Sequence, residues 1–205
     1  LTRYAGEFQR IGLSATVGNP REIAAFLTGE RPCAIVEVPV AKRLDIGVEI
    51  TGERFESQVN AIRQYTKKGD STLIFVNTRS TAELLAHALH ADGSVDVHHG
   101  SLSREIRIEA EDRFKRGEIA TLICTSSMEL GIDIGHVEHV IQFGSPREVS
   151  RLVQRIGRAG HQIGKISQGT IISSGFDDVC ESLVIAHRAR KGIVEKVVPS
   201  YEAGD

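Results

Sequence analysis

From Leu44 onward, short apolar runs alternate with stretches in which apolar residues recur every three or four positions. These two periodicities separate buried strands from amphipathic helices. The apolar runs predict strands over 44–50, 72–76, 95–98, 121–124, 139–143 and 169–173, and the longer period predicts helices over 54–68, 80–91, 103–116 and 146–156. Two helix starts carry capping boxes: Ser80 with Glu83, and Ser145 with Glu148, the second with Pro146 at the first helical position. A last helix over 177–192 is rich in Arg and Lys toward its end, where cations suit the helix dipole. Strands this apolar, so evenly separated by helices, predict an α/β fold: one parallel sheet with helices on both faces and right-handed crossovers. Ligands of such sheets sit at the carboxyl ends of the strands.

Ahead of this alternation, RIGLSATVGNPREIAAFLTG reads as a strand-like stretch, a small-residue turn at Ser14, Ala15 and Thr16, and a helix. Asn19 is its expected N-cap, Pro20 its first residue and Glu22 the residue three beyond the cap. Pro32 and Pro39 then punctuate an extended connection. No repeat or low-complexity tract interrupts the chain.

Composition narrows the class without naming a partner. Over 205 residues, 40% are hydrophobic and 25% charged, as expected of a soluble globular protein with one sizeable domain and a short appendage. A formal net charge of −2 gives no chain-wide pull toward nucleic acid, so any such binding must come from a local basic patch. Cys33, Cys124 and Cys180 are odd in number, far apart and without zinc spacing, which suits reduced thiols in a cytoplasmic protein. No apolar run approaches the ~18 residues of a membrane span, and residues 1–10 lack a signal-peptide pattern. The chain also lacks a starting methionine and is expected to be cut from something longer.

Polar motifs follow several of the strands. In QRIGRAGH, 154–161, Arg155 and Arg158 are three apart, so at a helix end they are expected to share a face and converge on one anion. Their guanidinium forks match phosphate, and Gly157 and Gly160 permit close backbone approach; arginines so placed against a γ-phosphate stabilise phosphoryl transfer. A solvated helix end with surface arginines is the alternative. TLICTSSMELGIDIG leaves a buried strand into Thr125, Ser126 and Ser127, then reaches Gly131 and Asp133. Thr125 suits a phosphodiester oxygen. Asp133 suits a ribose hydroxyl, or equally its own backbone in a turn.

TLIFVNTRS exits its strand into Asn77, Thr78 and Arg79, placing an arginine beside a helix N-terminus, as a ligand contact or as an incidental neighbour of a cap. VHHGSLS supplies His98, His99, Gly100 and Ser101. Adjacent histidines on a strand point to opposite faces and cannot easily chelate one ion, so a loop whose backbone N–H groups meet phosphate is preferred to a metal site or a purely structural turn. His87 and His90, three apart on a helix, read as a solvated face. No metal-binding residues are assigned.

SAT, FVNTR, HHGSLS, TSSMELGID and QRIGRAGH, in this order and at these distances, resemble superfamily 2 helicases over nearly the whole chain. HHGSLSRE, TSSMELGIDIG and QRIGRAGH look most like the Lhr (large helicase-related) group, ATP-dependent translocases of bacteria and archaea. The resemblance implies a RecA-like, P-loop NTPase-type sheet. It implies that residues 1–30 end a first RecA-like domain, 31–43 connect the domains, 44–195 form the second, helicase C-terminal domain, and 196–205 lead toward a winged-helix domain. It further implies Arg158 as the leading arginine finger and Arg155 as a neighbour bonding phosphate or the facing domain. Gly131 and Asp133 would contact nucleotide, while Arg79, Gly100, Ser101 and Thr125 would touch the nucleic-acid backbone. His161 stands where many superfamily members carry arginine, and a histidine there agrees with the Lhr-like pattern.

No GxxxxGK[ST] phosphate loop and no DExH or DEAD box occurs in the 205 residues, so the parts that hold the phosphates and Mg2+ are expected on another domain. The expectation is a second motor domain of an ATP-dependent helicase, using ATP with Mg2+ in the intact protein and acting on single-stranded DNA or RNA. This chain alone is not expected to hydrolyse ATP. Two rivals stay open: an RNA helicase of the Ski-like or DEAD-box type, and a nucleic-acid-binding module that hydrolyses nothing even when complete.

Overall fold

The computed structural model describes residues 6, 8–14, 17–29, 31–36, 44–66, 70–90, 95–129, 134–159 and 166–196. In chain order the elements are α1 (Pro20–Thr28), β1 (Leu44–Thr51), α2 (Phe55–Thr66), β2 (Thr72–Phe75), α3 (Arg79–Leu89), β3 (Val95–His98), α4 (Arg104–Lys115), β4 (Thr121–Cys124), β5 (His139–Phe143), α5 (Val149–Ile156), β6 (Ser167–Ser174) and α6 (Phe176–Arg190). A 3₁₀ turn at Ser126–Met128 follows β4.

All six strands join one sheet in the order β1-β6-β5-β2-β4-β3, and every pairing is parallel. The two-residue period of the strands sorts their side chains into two cores. Leu73, Phe75, Leu122, Cys124, Val140 and Ile171 point toward α4, α5 and α6. Ile74, Val76, Ile123, Ile141 and Ile172 point toward α2 and α3. The expected α/β sheet with helices on both faces is therefore present, and the central strands are apolar on both sides because both sides are covered.

Helix starts deviate from expectation in two instructive places. α3 begins at Arg79, two positions earlier than the Ser80 box implied, because the cap is Thr78, whose hydroxyl accepts from the Thr81 amide at 3.1 Å. α5 begins at Val149 rather than Pro146: Arg147 adopts φ 70°, the left-handed region, and breaks any helix through it. The Ser145 hydroxyl accepts from the Arg147 amide at 3.1 Å instead of capping a helix. At α1 the expected Asn19 cap residue and Pro20 start are present, but the Asn19 side-chain amide donates to the Glu22 carboxylate and makes no cap bond to the backbone.

α5 lies directly on β6. A Cβ at Gly169 would stand 2.6 Å from Ile156 Cγ1, so the strand has no side chain where the helix needs room. No helix among the described residues is long and apolar enough to cross a membrane.

Candidate functional site

The carboxyl ends of β2, β3 and β4, which neighbour one another in the sheet, carry four of the residues singled out in the sequence. Arg79 opens α3, is exposed, and donates from Nη1 to the Ser101 hydroxyl at 3.0 Å. Ser101 and Gly100 are exposed just past β3, and open space surrounds the position of a Cβ on Gly100. Thr125 follows β4, half-buried, and its amide donates to the His98 carbonyl at 3.3 Å. Three separate strand ends thus present an arginine, two hydroxyls and an unobstructed backbone along one edge, a donor set suited to a phosphodiester chain.

The histidine pair anchors this edge from beneath. His98 is buried, with Nδ1 hydrogen-bonded to Ser127 Oγ and Nε2 to Glu111 Oε1, both at 2.8 Å. His99 Nε2 bonds Glu83 Oε1, from α3, at 2.8 Å. The two rings point to opposite faces, as the strand period requires. Burial pulls the His98 pKa below its ordinary value, outweighing the opposing effect of Glu111.

QRIGRAGH has a different geometry from the one its spacing suggested. Val149, Leu152 and Ile156 face the sheet, and Arg155 lies on that same buried face, 1% exposed. Its Nε donates to Glu129 Oε1 at 2.7 Å, and Nη2 donates to the same oxygen. Nη1 donates to Gln142 Oε1 at 2.5 Å and Asn77 Oδ1 at 3.4 Å, and the guanidinium lies 5.2 Å from the centre of the Phe75 ring. Burial pushes the Arg155 pKa down while Glu129 pushes it back up.

Arg158 lies beyond the helix, since α5 ends at Ile156 and the Arg158 amide closes a turn onto the Arg155 carbonyl at 3.0 Å. The two arginines therefore do not share a helix face. Arg155 spends its fork inside the domain, and Arg158, half-buried, is the one set past the helix end. Burial pulls the Arg158 pKa down from its ordinary value. Gly131, Asp133, Gly160 and His161, with Ala15 and Thr16, lie outside the described residues.

The polar network around Arg155 extends along the strand ends. Asn77 Nδ2 donates to the Ser145 carbonyl at 2.8 Å, and the Asp178 carboxylate accepts from the Ser145 amide at 2.8 Å and from the Ser173 hydroxyl. Glu129, Gln142 and Asp178 were not singled out in the sequence. Gln142 had a signal, a polar residue inside the apolar run HVIQF, and Glu129 had another, a carboxylate between Met128 and Leu130. Neither signal names its partner, because the partners come together only when β2, β4 and β5 align.

The helicase conserved C-terminal domain model matches residues 54–162, and the chain belongs to that family. Within it the chain is similar to the ATP-dependent helicase Lhr-Core of Methanocaldococcus jannaschii, 42% identical over 209 residues, covering 96% of this chain and 25% of that protein. It is 34% identical to the Lhr helicase/uracil glycosylase of Escherichia coli over 96% of this chain and 16% of that protein. Among solved structures, Mycobacterium smegmatis helicase Lhr bound to single-stranded DNA and AMP-PNP superposes with a TM-score of 0.86 at 37% identity, over 93% of this chain and 27% of that one. The sheet is accordingly the RecA-like sheet of these helicases. The chain spans about a quarter of the length of the Lhr-Core relatives it matches.

Proposed function

We propose that this chain is the second motor domain of an ATP-dependent, Lhr-like helicase or translocase, acting on single-stranded DNA or RNA in the cytoplasm. The observation that carries the reading is the edge formed by Arg79, Gly100, Ser101 and Thr125, which would follow the nucleic-acid backbone. Similarity to a helicase bound to single-stranded DNA favours DNA as the strand held there. Residues 1–30 would belong to the first motor domain, 31–43 would connect the two, 44–195 would be the second motor domain, and 196–205 would lead on toward a winged-helix domain.

ATP with Mg2+ would be held chiefly by the first motor domain, through the phosphate loop and acidic box that this chain lacks. Gly131 and Asp133 would contribute nucleotide contacts. The Arg158 guanidinium, a cation beyond the end of α5, has the chemistry to meet a γ-phosphate across the cleft. Arg155 would act behind it, holding the helix end against Glu129, and not on phosphate. Closure of the domains would bring Arg158 to the nucleotide; reopening would shift the Arg79 to Thr125 edge along the strand.

The test is Arg158→Ala in the full-length protein, with steady-state ATP hydrolysis measured on saturating single strand. A loss of ~10³ or more is expected, by the scale of other arginine fingers. Unchanged hydrolysis would remove the finger role.

A further inference from the structure

α5 lacks an N-terminal cap of its own. Glu148 occupies the cap position, but its carboxylate accepts from Arg151 Nη2 at 3.3 Å and makes no bond to the helix amides, and the Ser145 hydroxyl is turned to Arg147. The first amides of the helix are satisfied from 46 and 45 residues away: the Glu195 carboxylate accepts from the Val149 amide at 2.7 Å and from the Ser150 amide at 3.0 Å. A carboxylate is well suited to this end of a helix, where unpaired N–H groups and the dipole both favour an anion. Burial raises the Glu195 pKa, but these backbone bonds more than offset it and leave the group below its ordinary value.

A third segment meets the same residue. Gly18 packs so closely on Glu195 that a Cβ there would run into the Glu195 carbonyl oxygen. Gly18 stands two residues after Thr16, in the stretch that follows SAT. One residue therefore joins the segment after SAT, the chain leaving α6, and the start of the helix whose far end leads into Arg158.

We propose that Glu195 is a positioning residue: it transmits the position of the segment around Gly18 to α5 and thereby sets where Arg158 stands. The inference rests on the reading of Arg158 as the finger. A short helix held at its start by a remote carboxylate and at its end by Glu129 shifts as a rigid piece, and small displacements of a catalytic group are costly in rate.

The test uses the full-length helicase with Glu195→Ala, Glu195→Gln, Gly18→Ala and the Glu195→Ala, Gly18→Ala double variant. Measured are kcat and KM for ATP on saturating single-stranded DNA, the affinity for that DNA, and amide hydrogen exchange over 149–156. Glu195→Ala is expected to lower kcat about tenfold or more, to leave KM and DNA affinity within about twofold, and to speed exchange at the start of α5. Glu195→Gln keeps an oxygen acceptor for one amide and should recover part of the loss. Gly18→Ala should also lower kcat, and adding it to Glu195→Ala should cost little more, since the push of Gly18→Ala on the Glu195 backbone reaches α5 through the carboxylate that Glu195→Ala removes.

Wild-type kcat in Glu195→Ala, or full additivity in the double variant, overturns the proposal. Should Glu195→Ala fail to fold, wild-type kcat in both Glu195→Gln and Gly18→Ala overturns it as well. Normal hydrolysis in Arg158→Ala would instead remove the finger reading and this inference with it. Loss in Arg158→Ala beside wild-type Glu195→Ala would sink the inference alone.

Discussion

Glu129 and Arg155, 26 positions apart, form an ion pair sealed between α5 and the end of β4: one carboxylate oxygen accepts from both Nε and Nη2 of the guanidinium. The pair joins the segment leading to Gly131 and Asp133 to the helix leading to Arg158. A buried guanidinium is tolerated because its donors are met by Glu129, Gln142 and Asn77 and its face by Phe75. Removing one partner leaves the other charge buried without compensation. Glu129→Ala should destabilise the domain by about 3–5 kcal/mol. Adding Arg155→Met, which removes the stranded charge and fills part of its volume, should restore a sizeable share. Urea unfolding of the two variants measures both quantities, and equal midpoints would contradict the pairing.

The Arg79 to Ser101 bond makes a prediction about ions. If Arg79 meets a phosphate, it displaces one counterion, so Arg79→Ala should weaken single-strand binding uniformly across sequences. It should also reduce the slope of log affinity against log salt by about 0.7. Fluorescence anisotropy of a labelled oligonucleotide, titrated at several salt concentrations with the full-length protein, reads the slope directly. A sequence-dependent loss would assign Arg79 to the bases, and an unchanged slope would remove it from the interface.

The sheet was legible because its signal is local: TLIF and TLIC are too apolar for anything but strands covered on both faces, and all six strands lie where the pattern predicts them. The start of α5 was not legible. Ser145, Pro146 and Glu148 satisfy a local capping rule, yet the Arg147 backbone and a carboxylate 46 residues away decide the outcome. The Arg79, Ser101 and Thr125 edge could be anticipated, since strand ends of a parallel sheet gather on one side. The burial of Arg155 could not, because its spacing from Arg158 says nothing about where α5 stops. That Arg155 turns inward depends on its place on the sheet-facing side of α5 and on a glutamate waiting across β2.

Gly169 should prove intolerant of even one added carbon. A Cβ there would meet three atoms of Ile156, itself buried, at 2.6 to 3.2 Å. Gly169→Ala is therefore expected to cost about 1–3 kcal/mol by overpacking. Pairing it with Ile156→Ala, which opens the space, should make the two changes less than additive. Thermal unfolding of the single and double variants gives the coupling directly, and strict additivity would mean that α5 does not seat on β6 as described.

Acid should weaken the domain through His98, which is buried, and His139, which is half-buried, before its carboxylates titrate. His98 and His139 both have their pKa lowered from 6.5, in each case chiefly by burial, against the opposing pull of Glu111 on His98 and of Asp45 and Asp70 on His139. In the unfolded chain both rings bind a proton as pH falls through about 6.5; in the folded domain they stay neutral to lower pH. The unfolded state then holds more protons, so the stability contributed by neutral burial is complete above about pH 6.5 and is lost as pH drops toward the folded values. Urea unfolding from pH 7.5 to 5.5 should show a falling free energy with decreasing pH. His98→Asn, which keeps hydrogen-bonding capacity toward Ser127 or Glu111 but cannot titrate, should flatten that dependence even if it lowers stability at pH 7.5. An unaltered pH slope in His98→Asn would exclude His98 from this effect and leave His139 to account for it.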